Sequence, residues 1–443
     1  MATIAQKTLF GWDQIEALGD LARLKLVLEN LPDETLMKRL EQVRDRGRDD
    51  YPIRAMWNAL ISGVVFQHPT VEALLRELRR NAQLRQVCGF EVAKGLKVVP
   101  NSWAFSRFLS RVMAHQDLIQ QMFDALVDGL TELLPDYGQS LAMDGKALAS
   151  YARGKREEAT PNEDPGRRRD SDGEWGVHEY RGTHEDGTPW QTIKKWFGYS
   201  IHLVVDSRYE LPVGFSVTRA AASEVVEAHR VLDRLEERHP QLVERCEEVA
   251  ADRAYDDTKL ILKVWDEWEA LPIIDIRNCW QDGETTKVVP GLENAIYDYR
   301  GTVSCVCMKS GERRQMAYGG FEKDRMTVKY RCPARHYGYA CASLEHCPVG
   351  QAVRISLEED RRVFTPLPRS SLKWDRCYDK RTSVERVNSR LDTSFGFENH
   401  TIRGLTKMTM RCSLALAVML AMAVGRIKGQ QTEAMRSLLA AVA

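Results

Sequence analysis

Ser140-Leu-Ala-Met-Asp-Gly-Lys146 is a short apolar run that ends in a carboxylate and a glycine. A second run, Glu247-Glu-Val-Ala-Ala-Asp252, also ends in a carboxylate. Short apolar runs of this kind are typical of buried strands, so both are predicted to be strands with an aspartate at the end. Alternatively, Asp144 next to a glycine is a turn residue, and Asp252 caps a following helix.

The segments around these strands predict a mixed sheet flanked by helices. Residues 153–190 are polar and rich in charge, glycine and proline, which predicts a long mobile loop. Residues 197–205 and 211–217 predict a hairpin with Asp206 in its turn. In chain order, the prediction is a strand at 140–143, the hairpin, a helix at 223–238, strands at 247–251 and 271–276, and a distant helix around Glu385.

Residues 11–130 are predicted to be helical. Thr70 is a predicted N-cap, Asn101 precedes another helix start, and residues 52–66 form a helix between tight turns. Short helices joined by such turns fit a helix-turn-helix unit that binds DNA, and they equally fit a plain helical bundle. The first apolar stripe has helical spacing and consists of Leu21, Leu24, Leu28 and Leu31.

Composition predicts a globular chain of more than one domain. It has 443 residues, 43% of them hydrophobic, which is enough for a sizeable core. Lys+Arg and Asp+Glu both number 63, so the net charge does not indicate a nucleic-acid partner. Residues 361–411, however, carry 12 Lys/Arg against 5 Asp/Glu, a local excess of 12 − 5 = +7 that predicts a phosphate-facing surface.

The sequence also predicts a cytoplasmic protein without a membrane segment. The N-terminus lacks the basic start and apolar run of a signal peptide. The longest apolar stretch, residues 413–425, is too short to cross a bilayer and is interpreted as a buried core helix. Ten cysteines without a secretory signal argue against a disulfide framework.

The helix around Glu385 is predicted to present a polar stripe beside an apolar one. At about 100° per residue, the polar stripe contains Tyr378, Arg381, Glu385, Asn388 and Asp392. Taken alone, that stripe is a surface salt-bridge pattern. Together with Asp144 and Asp252 it predicts three carboxylates on one face of a sheet. Carboxylate oxygens suit Mg²⁺, and two such ions on one site are typical of phosphodiester chemistry.

The chain resembles bacterial insertion-sequence DDE transposases with a helical N-terminal domain of the InsH type. The resemblance covers nearly the whole chain, and its pieces follow the family's order. They are Ala55-Met-Trp-Asn-Ala-Leu, Arg79-Arg-Asn-Ala-Gln-Leu-Arg, Ser102-Trp-Ala-Phe-Ser-Arg-Phe, Met143-Asp-Gly-Lys, Phe197-Gly-Tyr-Ser-Ile-His-Leu-Val-Val-Asp, Ala251-Asp-Arg-Ala-Tyr-Asp and Arg381-Thr-Ser-Val-Glu-Arg-Val.

The resemblance implies an α/β fold: a ribonuclease-H-like mixed sheet flanked by helices, an all-α N-terminal domain and a Cys-rich insertion. It implies that Asp144, Asp252 and Glu385 hold two Mg²⁺ or Mn²⁺ ions. It also implies a homodimer acting on double-stranded DNA, the terminal inverted repeats of an element and its target, at the bacterial nucleoid. The predicted bounds are 1–135 for the DNA-binding domain, 136–280 with 370–430 for the catalytic domain, 281–369 for the insertion and 431–443 for a tail.

The resemblance further assigns Tyr378 and Arg381 to phosphate contacts. The family often has a lysine seven residues after the glutamate, and this chain has Asp392 there. Arg386 and Arg390 are the predicted substitutes for that phosphate contact. The departure at Asp392 also favours an alternative, a catalytically inactive, domesticated derivative that only binds DNA.

The insertion contains a cysteine cluster that is a candidate zinc site. Four or more thiolates within a compact unit can hold a tetrahedral Zn²⁺. The spacing is irregular and lacks a paired Cys-x-x-Cys, so a set of small buried thiols is the alternative. A zinc-dependent interaction module with purely structural acids is a third hypothesis for the whole chain. The candidate ligands are Cys305, Cys307, Cys332, Cys341 and Cys347.

Overall fold

The computed structural model describes residues 18–44, 51–152, 170–184, 186 and 188–439. Its first part is helical, as predicted. Thr70 accepts a hydrogen bond from the Ala73 amide at 3.1 Å, and Asn101 accepts one from the Ala104 amide at 2.8 Å, so both cap helices. The helices are α1 (Leu21–Asn30), α2 (Glu34–Arg44), α3 (Ile53–Val65), α4 (Val71–Arg80), α5 (Ala82–Cys88), α6 (Ser102–Met113) and α7 (Gln116–Leu133).

A mixed sheet follows and confirms the predicted fold class. Strand β1 is antiparallel to β3 and parallel to β5, which is parallel to β6. The order is β2-β3-β1-β5-β6, and β4 also pairs with β3. The strands are β1 (Ser140–Ala149), β2 (Glu174–Thr183), β3 (Pro189–Asp206), β4 (Leu211–Arg219), β5 (Glu248–Ala251) and β6 (Leu271–Ile274). Helices α8 (Glu224–Arg238) and α9 (Pro240–Glu244) precede β5, and α10 (Thr258–Leu262) follows it.

Two predicted boundaries in this sheet are wrong. The sequence predicts a loop over 153–190. Residues 153–169 lie outside the described residues, but after residue 169 the chain forms an antiparallel hairpin from β2 and the first half of β3. Strand β1 does not end at residue 143, because its ladder with β3 continues from Asp144 opposite Leu203 to Ala149 opposite Gly198. The polar composition of the hairpin and the glycine at 145 do not predict strands. Both segments are nevertheless extended, because pairing with β3 stabilises them.

The insertion has a hydrophobic core of its own, which includes Val303, Val328 and Tyr330. Two small antiparallel sheets enclose it, with the orders β10-β9-β8-β7 and β11-β12-β13. Their elements are β7 (Lys287–Val289), β8 (Leu292–Tyr297), β9 (Val303–Val306), β10 (Arg313–Gln315), β11 (Ala317–Glu322), β12 (Thr327–Arg331), α11 (Pro333–Tyr337) and β13 (Ala352–Ser356).

Three helices complete the described chain: α12 (Leu372–Asp379), α13 (Thr382–Phe395) and α14 (Leu405–Lys428). By length and composition α14 could cross a membrane, so the prediction that this segment is too short is wrong. The predicted core helix is confirmed, because 89% of its most apolar window is buried inside the protein. It packs on α1, α7 and β4, so the N-terminal helices and the central sheet share one core.

His239 gives the contact between α7 and the α8–α9 junction a pH dependence. Its Nδ1 lies 2.7 Å from Asp128 and its Nε2 lies 3.7 Å from Asp124. Burial opposes the charged imidazolium, but the hydrogen bonds to both carboxylates outweigh burial and raise the pKa of His239 above 6.5. The pair therefore stabilises the fold fully below pH 6.5 and loses that contribution as pH rises through the folded-state pKa.

We expect His239→Gln to lower the free energy of unfolding more at pH 5.5 than at pH 9, because only the lower pH protonates the imidazole. Urea unfolding of both proteins at the two pH values measures the difference. An equal loss at both values would show that the histidine contributes packing alone.

Candidate active site

Asp144 and Asp252 lie side by side on neighbouring parallel strands. The ladder between β1 and β5 ends with Met143 opposite Ala251, and the two aspartates are the next residues on each strand. Asp144 accepts a hydrogen bond from the Gly145 amide at 2.8 Å. Asp252 accepts one from Ala254 at 2.8 Å and so caps a short 3-10 turn. The turn alternative for Asp144 is wrong, while the capping role of Asp252 coexists with its place beside Asp144.

The charges of this pocket are poorly compensated. Burial raises the pKa of Asp144 to about 7, and the negative charges of Asp252 and Glu224 add to that effect, whereas Arg381 opposes it. Burial and Glu224 likewise raise the pKa of Asp252. Carboxylates that repel one another in a half-buried position are the donor set that a divalent cation stabilises. The residues therefore fit the metal ions of the predicted site.

Glu385 reaches the same pocket through an arginine. The guanidinium of Arg381 lies 2.6 Å from Glu385 Oε1 and 3.7 Å from Asp144 Oδ2. The Glu385 side chain is 51% exposed, so it stands at the rim while the two aspartates lie deeper. Within the described ranges, no three His, Cys, Asp or Glu side chains lie close enough to hold a metal ion together. The arginine is the cation between the first aspartate and the glutamate in this arrangement.

The single helix predicted from Tyr378 to Asp392 is wrong, because it is interrupted at residues 380–381 between α12 and α13. Tyr378 lies on α12, where its ring stacks on Trp374 at 4.6 Å. Arg381 still lies 5.8 Å from the Tyr378 ring, so the predicted pair remains adjacent. The apolar stripe is confirmed, since its members Val384, Val387 and Leu391 are buried.

Asp392 binds a lysine from the first strand. Lys146 Nζ lies 2.6 Å from Asp392 Oδ2, and both side chains are largely shielded from solvent. Sequence reasoning missed Lys146, although it stands two residues after Asp144 and therefore on the same face of β1. The predicted substitutes for the phosphate contact bind Glu210 instead. The Arg386 side chain lies 2.6 Å from the Glu210 carboxylate, and Arg390 donates a hydrogen bond to the Glu210 carbonyl.

Three further residues at the pocket were missed. Glu224, in the first turn of α8, lies beside Gly145: a Cβ at residue 145 would be 2.9 Å from Glu224 Oε1 and 3.7 Å from the Tyr255 hydroxyl. His178 of the β2–β3 hairpin lies 3.6 Å from Glu224. In the sequence, Glu224 is explained by its favourable position at a helix N-terminus, so no pattern links it to Asp144.

The five candidate zinc ligands line one cavity of about 20 Å³ in the insertion. Burial raises the pKa of Cys305 to about 11, and the thiols of Cys332, Cys347 and Cys341 add to that effect. Hydrogen bonds from Ser310 and Ser343 lower the pKa of Cys307 to about 5. All ten cysteines of the chain are free thiols, as predicted. The cavity holds about one water-sized sphere.

Comparison with known families shows which family the chain belongs to. The family model described as the transposase DDE domain matches residues 172–421, more than half of the chain. The chain belongs to the DDE transposases. A model described as a transposase domain matches residues 13–111 of the helical part. No curated protein matches the chain.

The predicted resemblance is therefore confirmed at the level of the family. The transposase is a polynucleotidyl transferase and nuclease that acts on DNA, and its family generally uses divalent metal ions. Strand β1 and Asp144 lie between the two matched ranges. It is the register with β3 and β5, described above, that connects Asp144 to the rest of the transposase domain.

The ion pair between Lys146 and Asp392 is open to a direct measurement of coupling. We expect Lys146→Gln and Asp392→Asn each to destabilise the transposase, and the double variant to be more stable than the sum by about 1 kcal/mol, because the pair is only partly shielded. Urea unfolding of the four proteins gives the coupling. Additive effects would mean that the two side chains do not interact in solution.

Proposed function

We propose that this transposase cleaves the ends of its mobile element and transfers the 3′ ends to target DNA in the pocket of Asp144, Asp252 and Glu385. The observation that carries the proposal is the register of β1 and β5, which sets the first two carboxylates next to each other. The contact of Arg381 with both Asp144 and Glu385 supports the third member. These three residues are spread over 241 positions, since 385 − 144 = 241.

Asp144, Asp252 and Glu385 would hold two Mg²⁺ or Mn²⁺ ions. Such ions, about 3.5–4 Å apart, stabilise the charge on the attacking and leaving oxygens of a phosphodiester. The chain contributes carboxylates on rigid strands, so that the reacting phosphate is oriented by fixed groups. Burial, followed by the charge of Asp252, raises the pKa of Asp144 to about 7, which supports a cation at this position.

Arg381, Tyr378 and Lys146 are the proposed phosphate-positioning groups. Arg381 binds Asp144 and Glu385 in this structure, and both acids are proposed to bind the ions. When the ions neutralise these acids, the guanidinium of Arg381 becomes available for a phosphate. Lys146 would have to release Asp392 to bind a phosphate, because that carboxylate neutralises its charge in this structure. Arg386 and Arg390 remain predicted DNA contacts, and each would have to release Glu210.

The proposed partner of the helical part is the terminal inverted repeats of the element, bound by a homodimer in the cytoplasm at the nucleoid. Trp103 on α6 is 65% exposed, and the guanidinium of Arg107 lies 3.5 Å above its ring. An exposed aromatic and arginine pair on a helix is a suitable surface for nucleic acid. The excess of +7 over residues 361–411 supports a backbone contact by the catalytic part.

A catalytically inactive derivative that only binds DNA is the second candidate, favoured by Asp392. A Mg²⁺-dependent nicking assay on DNA that carries the element's ends separates it from an active transposase. Cleavage by the wild type would exclude the inactive derivative.

Replacing the second aspartate gives the sharpest test of the pocket. We expect Asp252→Ala to reduce strand cleavage roughly a thousandfold or more, because residues that act as a unit fail together, and to leave binding to the element ends nearly intact. Gel-shift and cleavage assays on the same DNA measure both. Asp324→Ala, at an exposed acid of the insertion, is the matched control. Retained cleavage in Asp252→Ala would remove this residue from the site.

The zinc proposal is tested by metal content. We expect about one Zn²⁺ per chain in protein purified without chelator, and a loss of that zinc in Cys332→Ser and Cys347→Ser, because thiolates hold the ion. Cys279→Ser, at an exposed cysteine outside the cavity, should keep it. If the wild type folds without zinc, the cysteines of the cavity are a cluster of buried thiols and not a zinc site.

A further inference from the structure

We propose that Glu224 is a further metal-ligating residue of the transposase pocket, next to Asp144 and Asp252, and that the Tyr255 hydroxyl faces the same ion or its water. The inference rests on the proposed function of that pocket and adds a carboxylate from α8 to it. Four observations support it: the place of Glu224, the environment of Tyr255, the residue at position 145 and the charges around them.

The first observation is the position of the Glu224 carboxylate. Strand β1 carries Asp144 and Gly145 in sequence, and Glu224 Oε1 lies 2.9 Å from the point where a side chain at residue 145 would begin. The carboxylate therefore lies against the backbone of β1 immediately after the first aspartate. Helix α8 begins at Glu224, so the residue is held at the start of a 15-residue helix. Its side chain is 25% exposed and hence mostly shielded from water.

Tyr255 gives a second, independent observation. It is 1% exposed, and its hydroxyl has no hydrogen-bond partner among the residues that the structure describes. That hydroxyl lies 3.7 Å from the same point beside Gly145, so it is directed to the region of the Glu224 carboxylate. A buried hydroxyl without a partner costs free energy. A metal ion with its water, held between the carboxylates, would supply the missing partner.

The residue at position 145 explains why the carboxylate has room. Gly145 has no Cβ, and any other residue there would place a carbon 2.9 Å from Glu224 Oε1. Real Cβ atoms essentially never come this close, so a side chain would push Glu224 away from Asp144. The backbone of β1 stays regular at this point, since residues 144–149 pair with β3. Glycine therefore lets the Glu224 carboxylate keep this position, which a larger residue would displace by moving the flexible end of the glutamate.

The charges agree with a ligand role. Asp144, Asp252 and Glu224 come from β1, the end of β5 and α8, and an ion between them would have to draw together carboxylates that lie too far apart to hold it in this structure, while Arg381 is shared with Glu385 at the rim. His178 contacts Glu224 from the hairpin at 3.6 Å. A histidine that orients a ligating carboxylate is a common outer-shell arrangement in metal sites. His178 is thus a positioning residue for Glu224.

The rival explanation is structural. An acid in the first turn of a helix is stabilised by the helix dipole, and the contact with His178 adds an ion pair. That explanation accounts for Glu224 on α8 but for neither the partnerless Tyr255 hydroxyl nor the glycine at 145. It predicts that replacing Glu224 changes the stability of the transposase and leaves its metal affinity unchanged.

Mn²⁺ binding to the full chain without DNA, followed by electron paramagnetic resonance, separates the two. We expect Glu224→Gln to weaken Mn²⁺ affinity about tenfold or more, and Glu237→Gln, at an exposed acid on the same helix, to leave it unchanged. Tyr255→Phe should keep the melting temperature of the metal-free protein, because it removes a hydroxyl without a partner, and should weaken Mn²⁺ affinity severalfold.

The variant Asp144→Asn distinguishes a failure of this inference about Glu224 from a failure of the proposed function of the pocket. If Asp144→Asn loses Mn²⁺ while Glu224→Gln binds it like the wild type, Glu224 is structural and the proposed function stands. If Asp144→Asn also binds like the wild type, the pocket itself is not the metal site. Should Glu224→Gln fail to fold, Tyr255→Phe decides the question, since unchanged Mn²⁺ affinity in that variant would overturn the inference.

Discussion

Parallel pairing between β1 and β5 ends one residue before two carboxylates, and the remaining features of the site follow from that register. Met143 faces Ala251, so Asp144 and Asp252 leave the ladder together on adjacent strands. The strands hold the two residues side by side, and burial together with their repulsion raises the pKa of Asp144 to about 7. The sheet thus holds two repelling carboxylates at one fixed position, where a cation would stabilise them.

Two basic residues from separate elements lie around this position. Arg381 at the start of α13 bridges Asp144 and Glu385. Lys146 on β1 binds Asp392 on α13, which ties the helix of the third acid to the strand of the first. The charges of Lys146 and Asp392 neutralise each other in this pair.

The packing explains how a long segment can lie between the two proposed site residues Asp252 and Glu385. Asp252 and Glu385 are separated by 385 − 252 = 133 positions. The insertion has its own hydrophobic cluster, whereas α14 joins the N-terminal helices and the central sheet into another. A segment with an independent core can be accommodated without altering the strands that hold the acids. The cysteine cavity belongs to this separate unit.

The sequence by itself determined the helical first part, the two aspartate-bearing runs, the buried stripe of α13 and the family. These features depend on local periodicity and on short motifs, which one chain segment contains in full. It did not reveal the length of β1, the β2–β3 hairpin or the break before α13, because pairing with distant strands and packing decide these boundaries.

The tertiary structure alone decided which charges meet. Lys146 with Asp392, and Glu224 with Gly145 and Tyr255, are neighbours only after β1, α8 and α13 have packed together. Electrostatic interactions act through space over a few ångströms. Gly145 and Glu224 lie 224 − 145 = 79 positions apart, and Lys146 and Asp392 lie 392 − 146 = 246 positions apart. No spacing along the chain encodes a short distance between residues so far apart in sequence.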